Sequence, residues 1–337
     1  MESTPTDRLK GLLKGLPNVP FGSEIRALTP DASTREYFRI DWDGSTAIAC
    51  VYPQDEPGAG QFAACLDVTG LFLSNSLPVA RVLYSNDTDG VIIHEDFGDT
   101  ILRDVLQASD DAAREVWIDR AIALIAQIQA ATSSAYARNS IASRLSFDFE
   151  KLSWELDFFR QHYFTTLKGR APESAPAEFV AEMNAVAREL AGMASVLTHR
   201  DFHAANLMLS EGELKIIDHQ DARIGPTSYD LVSLLLDRVT EAPSANWLAG
   251  KRKLLLDKRA ELGLPPISED DFASEFRLQT IQRCLKAIGT FSFQSANRGK
   301  KHFEQYIGPM FDIVLRAAKN VGGLPAIESV ISRELGR

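Results

Sequence analysis

The chain has 337 residues, 45% hydrophobic and 24% charged, with a formal net charge of -10. That length exceeds one compact core of ordinary size and predicts two lobes. The acidic balance argues against non-specific nucleic-acid binding, which needs a basic face to neutralise phosphates.

The first twenty residues carry Asp7, Arg8, Lys10 and Lys14 without a long apolar run. They predict a short amphipathic helix rather than a secretory leader. No stretch approaches the roughly 20 apolar residues of a membrane span, so a soluble, cytoplasmic protein with no membrane partner is expected. Cys50, Cys65 and Cys284 are too scattered for a metal cluster and are expected to be reduced thiols.

Residues 35–52 read as a hairpin, with Arg35 to Asp41 and Thr46 to Tyr52 as strands around the turn dipeptide Asp43-Gly44. Pro53 to Gly60 reads as loop and Gln61 to Ser74 as helix. Val79 to Tyr84 and Val91 to His94 read as strands, separated by a polar turn. Beyond residue 100 the pattern turns helical, with Trp117, Ala121, Leu124, Ile125 and Ile128 forming one stripe. Residues 165–178 are loop-like in composition and a candidate lid. Residues 196–218 hold two short apolar β-like pieces, Ser195 to Leu197 and Leu214 to Ile217, followed by helices over 231–238 and 272–293. The expected fold class is α+β and bilobal: a small β-rich lobe with one main helix over 1–98, and a larger helical lobe over 99–337.

His199-Arg200-Asp201 with Asn206 fits H-x-D-x-x-x-x-N, the catalytic-loop pattern of protein-kinase-like folds. Asp218 follows at the end of the apolar strand Leu214 to Ile217. Phosphoryl transfer needs a carboxylate beside the attacking hydroxyl and oxygen ligands for Mg²⁺ at the phosphates. Asp201 is the candidate base, and Asn206 and Asp218 the candidate metal ligands. His203 and Asp221 are candidates for substrate contact, each with a structural alternative. Asp230 is expected to cap the following helix and brace the loop.

These segments, with Tyr229-Asp230-Leu231, resemble the aminoglycoside phosphotransferase superfamily. Asp31 to Arg39, Glu95 to Thr100, Gln220-Asp221-Ala222 with Gly225-Pro226, and Arg283 to Gly289 further resemble the bacterial cell-wall amino-sugar kinases. Those enzymes phosphorylate N-acetylmuramate and N-acetylglucosamine at the anomeric hydroxyl during peptidoglycan recycling. The resemblance implies ATP and Mg²⁺ as cofactors, a small-molecule sugar as partner, and a monomer. It places Ser33, Thr34 and Arg35 in a loop over the phosphates, and Glu95 and Phe97 at a hinge meeting adenine through backbone groups. A kinase of another small hydroxyl compound, such as an aminoglycoside or choline, is the alternative, and a nucleotide-binding pseudokinase a third reading.

The sequence departs from protein kinases at the third strand, where Ala47 to Tyr52 carries no lysine; none occurs between Lys14 and Lys151. Arg35 and Arg39 are the candidates to supply the missing cation. Alternation puts Phe38 and Ile40 on an apolar face and Tyr37 and Arg39 on the other.

Overall fold

The computed structural model describes residues 4–20, 22–28, 35–171 and 175–337. Its elements run α1 (Pro5–Leu13), β1 (Ile25–Leu28), β2 (Glu36–Trp42), β3 (Ser45–Val51), α2 (Glu56–Ser74), β4 (Val82–Asn86), β5 (Val91–Glu95) and α3 (Leu102–Ala108). Then come α4 (Asp111–Ala130), α5 (Thr132–Ala137), α6 (Ile141–Arg144), α7 (Phe149–Phe159), a π-helical continuation (Arg160–Leu167) and α8 (Ala177–Met193). Short strands β6 (Val196–Thr198), β7 (Leu207–Ser210), β8 (Glu213–Ile216) and β9 (Arg223–Gly225) precede α9 (Tyr229–Leu236), α10 (Ala245–Glu261), α11 (Glu269–Arg298), α12 (Ile307–Val321) and α13 (Pro325–Glu334). The fold class is α+β. No described helix is long and apolar enough to cross a membrane.

The chain forms two compact units from discontinuous segments. Unit 1 comprises Met1–Asp110, Ser134–Ala142 and Ala204–Ala222; unit 2 comprises Asp111–Ser133, Ser143–His203 and Arg223–Arg337.

Unit 1 is built on a five-stranded antiparallel sheet in the order β1-β2-β3-β5-β4. The β2–β3 hairpin turns at Asp43 and Gly44, whose φ values of 47° and 78° are both positive, as its tight two-residue turn demands. Period-two alternation gives the sheet two apolar faces. Phe38, Ile40, Ala49, Val51 and Ile93 pack with Leu9 and Leu13 of α1, while Cys50, Tyr52 and Ile92 pack with Phe62 and Cys65 of α2. Burying each large side chain contributes about 1.5–3 kcal/mol.

Helix α2 starts earlier than the sequence pattern suggested. Pro57 sits in its first turn, where a missing N–H costs nothing, and Asp55 caps it by accepting the Gly58 amide at 2.7 Å. The stretch 165–178 is also less loop-like than its composition implied: the π-helical segment runs to Leu167 and α8 begins at Ala177. Residues 172–174 lie outside the described residues.

Unit 2 is organised around α11, which buries Phe272, Phe276, Ile281, Leu285 and Ile288 along its length. At Gly289 it meets the end of α7 backbone to backbone: a Cβ there would stand 2.6 Å from Phe159 Cα. Gly289→Ala is therefore expected to destabilise the protein by about 1–3 kcal/mol through overpacking, despite alanine's helix preference of up to ~1 kcal/mol. Urea unfolding tests this: the midpoint should fall at unchanged slope, and an unchanged or higher midpoint refutes the contact.

Candidate active site

The catalytic-loop motif leaves β6, which pairs with β9 in unit 2. Its conformation is fixed from α9. The fully buried Asp230 carboxylate accepts the amides of His199 at 2.7 Å and Arg200 at 3.0 Å. Asp230 thus braces the loop, but it is not the helix cap; Ser228 stands at that position. The two bonds hold Arg200 at φ 83°, a left-handed backbone that a non-glycine residue adopts only under constraint.

Asp201 follows, half-buried among cations. Arg283 donates to its Oδ1 at 3.0 Å, Lys286 Nζ lies 4.0 Å from the same oxygen, and Arg200 Nε is 3.9 Å from Oδ2. Arg283 also donates to the Tyr229 hydroxyl at 3.0 Å. Burial alone would raise the pKa of Asp201, but Lys286, Arg283, Arg200 and His203 outweigh it and hold the carboxyl well below 3.8. Asp201 is therefore ionised at neutral pH and ready to accept a hydrogen bond from a hydroxyl.

A pocket of about 100 Å³ opens at this carboxylate. His203, Ser233, Asp237, Arg238, Arg283 and Lys286 supply its polar lining, and Leu236, Phe291 and Met310 part of its apolar wall. The structure thus brings Asp201 and His203 together. Burial lowers the pKa of His203, so its ring is neutral at pH 7, and its buried Nδ1 meets no hydrogen-bond partner among the described residues. The roles of Arg283 and Lys286 escaped the sequence reading, although the stretch containing them was singled out. The available signal was their i,i+3 spacing, which puts two cations on one helix face.

Asn206 and Asp218 belong to unit 1. The turn Ala204–Asn206 leads into β7, which pairs with β8, and the Ile217 amide donates to the Asn206 carbonyl at 3.1 Å. Asp218 follows with φ 60°. Its Oδ1 accepts from Arg35 at 2.6 Å and Gln220 at 3.0 Å. His219 is held by Thr69 of α2 at 2.7 Å and stacks on Phe72. Asp221 is half-buried in the turn that follows.

The two candidate arginines have different surroundings. The Arg35 guanidinium sits 5.6 Å from the Tyr37 ring centroid and 5.9 Å from that of Tyr52. Burial disfavours its charge, but Tyr37 and Asp218 more than offset that and raise its pKa. Beside it on the strand lacking lysine, burial pushes the Cys50 thiol up to about 12. Burial and Arg35 together lower His94 to about 4. Arg39 is instead gripped by acids: it makes a two-pronged contact with Asp96 at 2.6 and 3.0 Å and reaches Asp99 at 2.8 Å. Thr46 and the Gly98 amide complete the shell of Asp96. Glu95 pairs with Arg81 at 3.2 Å, and Phe97 lies half-buried under Lys215, 5.7 Å from its Nζ. Ser33 and Thr34 lie outside the described residues.

The donors at Asn206 and Asp218 are oxygens only. That chemistry suits Mg²⁺, which is commonly held by one or two carboxylates and completed by substrate phosphates.

A family profile described as the phosphotransferase enzyme family matches residues 24–264. The chain belongs to that family. It is 27% identical over 317 residues to the N-acetylmuramate/N-acetylglucosamine kinase of Neisseria meningitidis, covering 91% of this chain and 89% of that one. The kinase of the same name from Pseudomonas aeruginosa is 28% identical over 83% of this chain and 80% of its own. Among solved structures, an aminoglycoside 2″-phosphotransferase in complex with GDP and kanamycin superposes with a TM-score of 0.60 at 14% identity, covering 93% of this chain and 98% of that one.

The charge around Asp201 is directly testable. In ¹³C NMR titrations its carboxyl should titrate below 3.8. Lys286→Met removes a cation that favours the anion, so the value should rise; an unchanged value refutes the assigned cause. The sign carries over to stability: the contribution from this depressed pKa is present above 3.8 and lost as pH falls through the folded-state value.

Proposed function

We propose that this phosphotransferase moves the terminal phosphoryl group of ATP onto the anomeric hydroxyl of an N-acetylated amino sugar, N-acetylmuramate or N-acetylglucosamine. The observation carrying this reading is the similarity to kinases of that name across nine-tenths of the chain. The charge of the pocket at Asp201 favours it over a polycationic acceptor. Three cations, Arg238, Arg283 and Lys286, line it against two acids, Asp201 and Asp237. A sugar bearing hydroxyl, amide or carboxylate groups suits that lining better than an aminoglycoside does. On this reading the enzyme works in the cytoplasm, in the recycling of wall sugars, with residues 1–98 serving the nucleotide and 99–337 carrying the catalytic loop and the sugar site.

Asp201 accepts the hydrogen bond of the attacking hydroxyl and takes its proton as the new oxygen–phosphorus bond forms and the bond from the terminal phosphorus to the bridging oxygen breaks, releasing ADP. A hemiacetal hydroxyl is more acidic than an ordinary alcohol, which suits a carboxylate whose proton affinity is held low by Arg283 and Lys286. His203 and Asp221 contact the sugar. Asn206 and Asp218 hold Mg²⁺, which when bound neutralises charge on the phosphate oxygens. Glu95 and Phe97 meet the adenine through backbone groups, and Ser33 and Thr34 belong to the loop over the phosphates.

The test is turnover against a panel of sugars, with ³¹P NMR of the product. N-acetylmuramate or N-acetylglucosamine should yield a 1-phosphate, and the 1-O-methyl glycoside should be inert. A 6-phosphate product, or equal turnover of the methyl glycoside, refutes the anomeric assignment.

Arg35, rather than Arg39, replaces the third-strand lysine on this reading, because it stands at the Asp218 carboxylate while Arg39 is committed to Asp96 and Asp99. Arg35→Met should raise the KM for ATP and cost on the order of 2 kcal/mol in kcat/KM, about thirtyfold. Arg39→Met should lower thermal stability with a smaller effect on the KM for ATP. The reverse ranking would overturn the choice.

A further inference from the structure

Unit 2 contains a second pocket of about 100 Å³, where α10, α11 and α12 meet, and it holds none of the catalytic-motif residues. Each helix contributes one arginine: Arg252 from α10, Arg277 from α11 and Arg316 from α12. Thr280 and Asn320 add a hydroxyl and an amide. All three arginines are half-buried.

Elsewhere in the molecule arginines of low exposure are answered by acceptors: Arg39 pairs with Asp96 and Arg283 with Asp201, while Arg8 and Arg259 donate to carbonyl oxygens. Among the described residues, none of the three pocket arginines forms an ion pair. The contrast is sharp within α10, where Lys251, next to Arg252, is held by Glu115 and Asp119. Arg252 is fixed in place by the ring of Phe276, 5.3 Å away. Burial, then the charge of Arg277, lowers its pKa, and Glu269 opposes this from beyond ion-pair distance. Gathering like charges in a half-buried pocket opposes folding unless an anion answers them. In a protein of net charge -10, three arginines gathered in one pocket run against the overall charge. Ala245, the first residue of α10, closes one side and brings a helix N-terminus to the rim, which adds to the attraction.

We propose that this pocket binds a phosphate-type anion, either orthophosphate or the phosphoryl group of a phosphomonoester. Guanidinium groups suit phosphate oxygens, to which they can donate in pairs, and a volume of about 100 Å³ accommodates one such group rather than a nucleotide. α11 also carries Arg283 and Lys286, so an anion seated here acts on the helix that sets the charge of Asp201.

The test is isothermal titration of the full chain with orthophosphate and, separately, with glucose 1-phosphate, at low salt and with saturating ADP present. Saturable binding at one site is expected. Arg277→Gln and Arg316→Gln should each weaken it at least tenfold, while Lys253→Gln, an exposed cation on α10, should not. Circular dichroism melting establishes that each variant is folded, and the two half-exposed positions make the test independent of either one. Whichever ligand binds more tightly identifies the source of the phosphate. Absence of saturable binding, or equal affinity in wild type and both arginine variants, would overturn the inference.

Discussion

The shape of the loop that carries Asp201 depends on one buried carboxylate. Asp230 lies beneath the catalytic loop and satisfies the amides of His199 and Arg200. Without it two buried donors lose their partner, at about 1–3 kcal/mol each, and the strained backbone at Arg200 loses its restraint. Burial raises the pKa of Asp230, while His199 and the two amide bonds counter the rise. Asp201, which follows Arg200 in the loop, shows the opposite outcome: also desolvated, it is surrounded by cations that keep it charged. Two aspartates thus differ through their surroundings: one braces the backbone, and the other is held as an anion at the mouth of a pocket.

Arginine placement sorts the cations in the same way. Arg39 joins β2 to the segment after β5 through a two-pronged contact with Asp96, a geometry lysine cannot reproduce. Arg283 links α11 to Tyr229 and to Asp201, so one guanidinium both packs the helix and tunes the carboxylate. Arg35 reaches Asp218 across 183 residues of sequence. In an acidic chain each of these positions is set by a local counter-charge rather than by the overall field.

The sequence was most informative where the physics is local. The β2–β3 hairpin was readable because Asp43-Gly44 supplies two left-handed residues and the flanking alternation is clean. The H-x-D-x-x-x-x-N pattern stood out by its residue types and spacing, and the structure puts its Asp201 on a pocket with His203. The resemblance carried the kinase-like fold. Less was readable where partners are distant. Arg283 meets Asp201 across 82 positions, and nothing within α11 itself names that partner. The start of α2 was obscured because Pro57-Gly58 looks like a breaker until Asp55 is seen capping it. β7 and β9, of four and three residues, are too short to show alternation. Gly289 carried no local sign that Phe159 backbone lies against it.

The interleaving of the two units has a consequence for how the protein is made. Val79 bridges to Ile216, and Ile101 to Met208, so unit 1 takes its final contacts from Ala204–Ala222. A ribosome has by then already delivered Asp111–Ser133 and Ser143–His203, which belong to the other unit. The N-terminal sheet therefore emerges early but waits, unfinished, for a late segment. Vectorial folding, in which one domain closes before the next emerges, does not suit this connectivity. A fragment cut at Asp110 would lack both Asn206 and Asp218, and with them the oxygen donors that distinguish this unit from an ordinary antiparallel sheet.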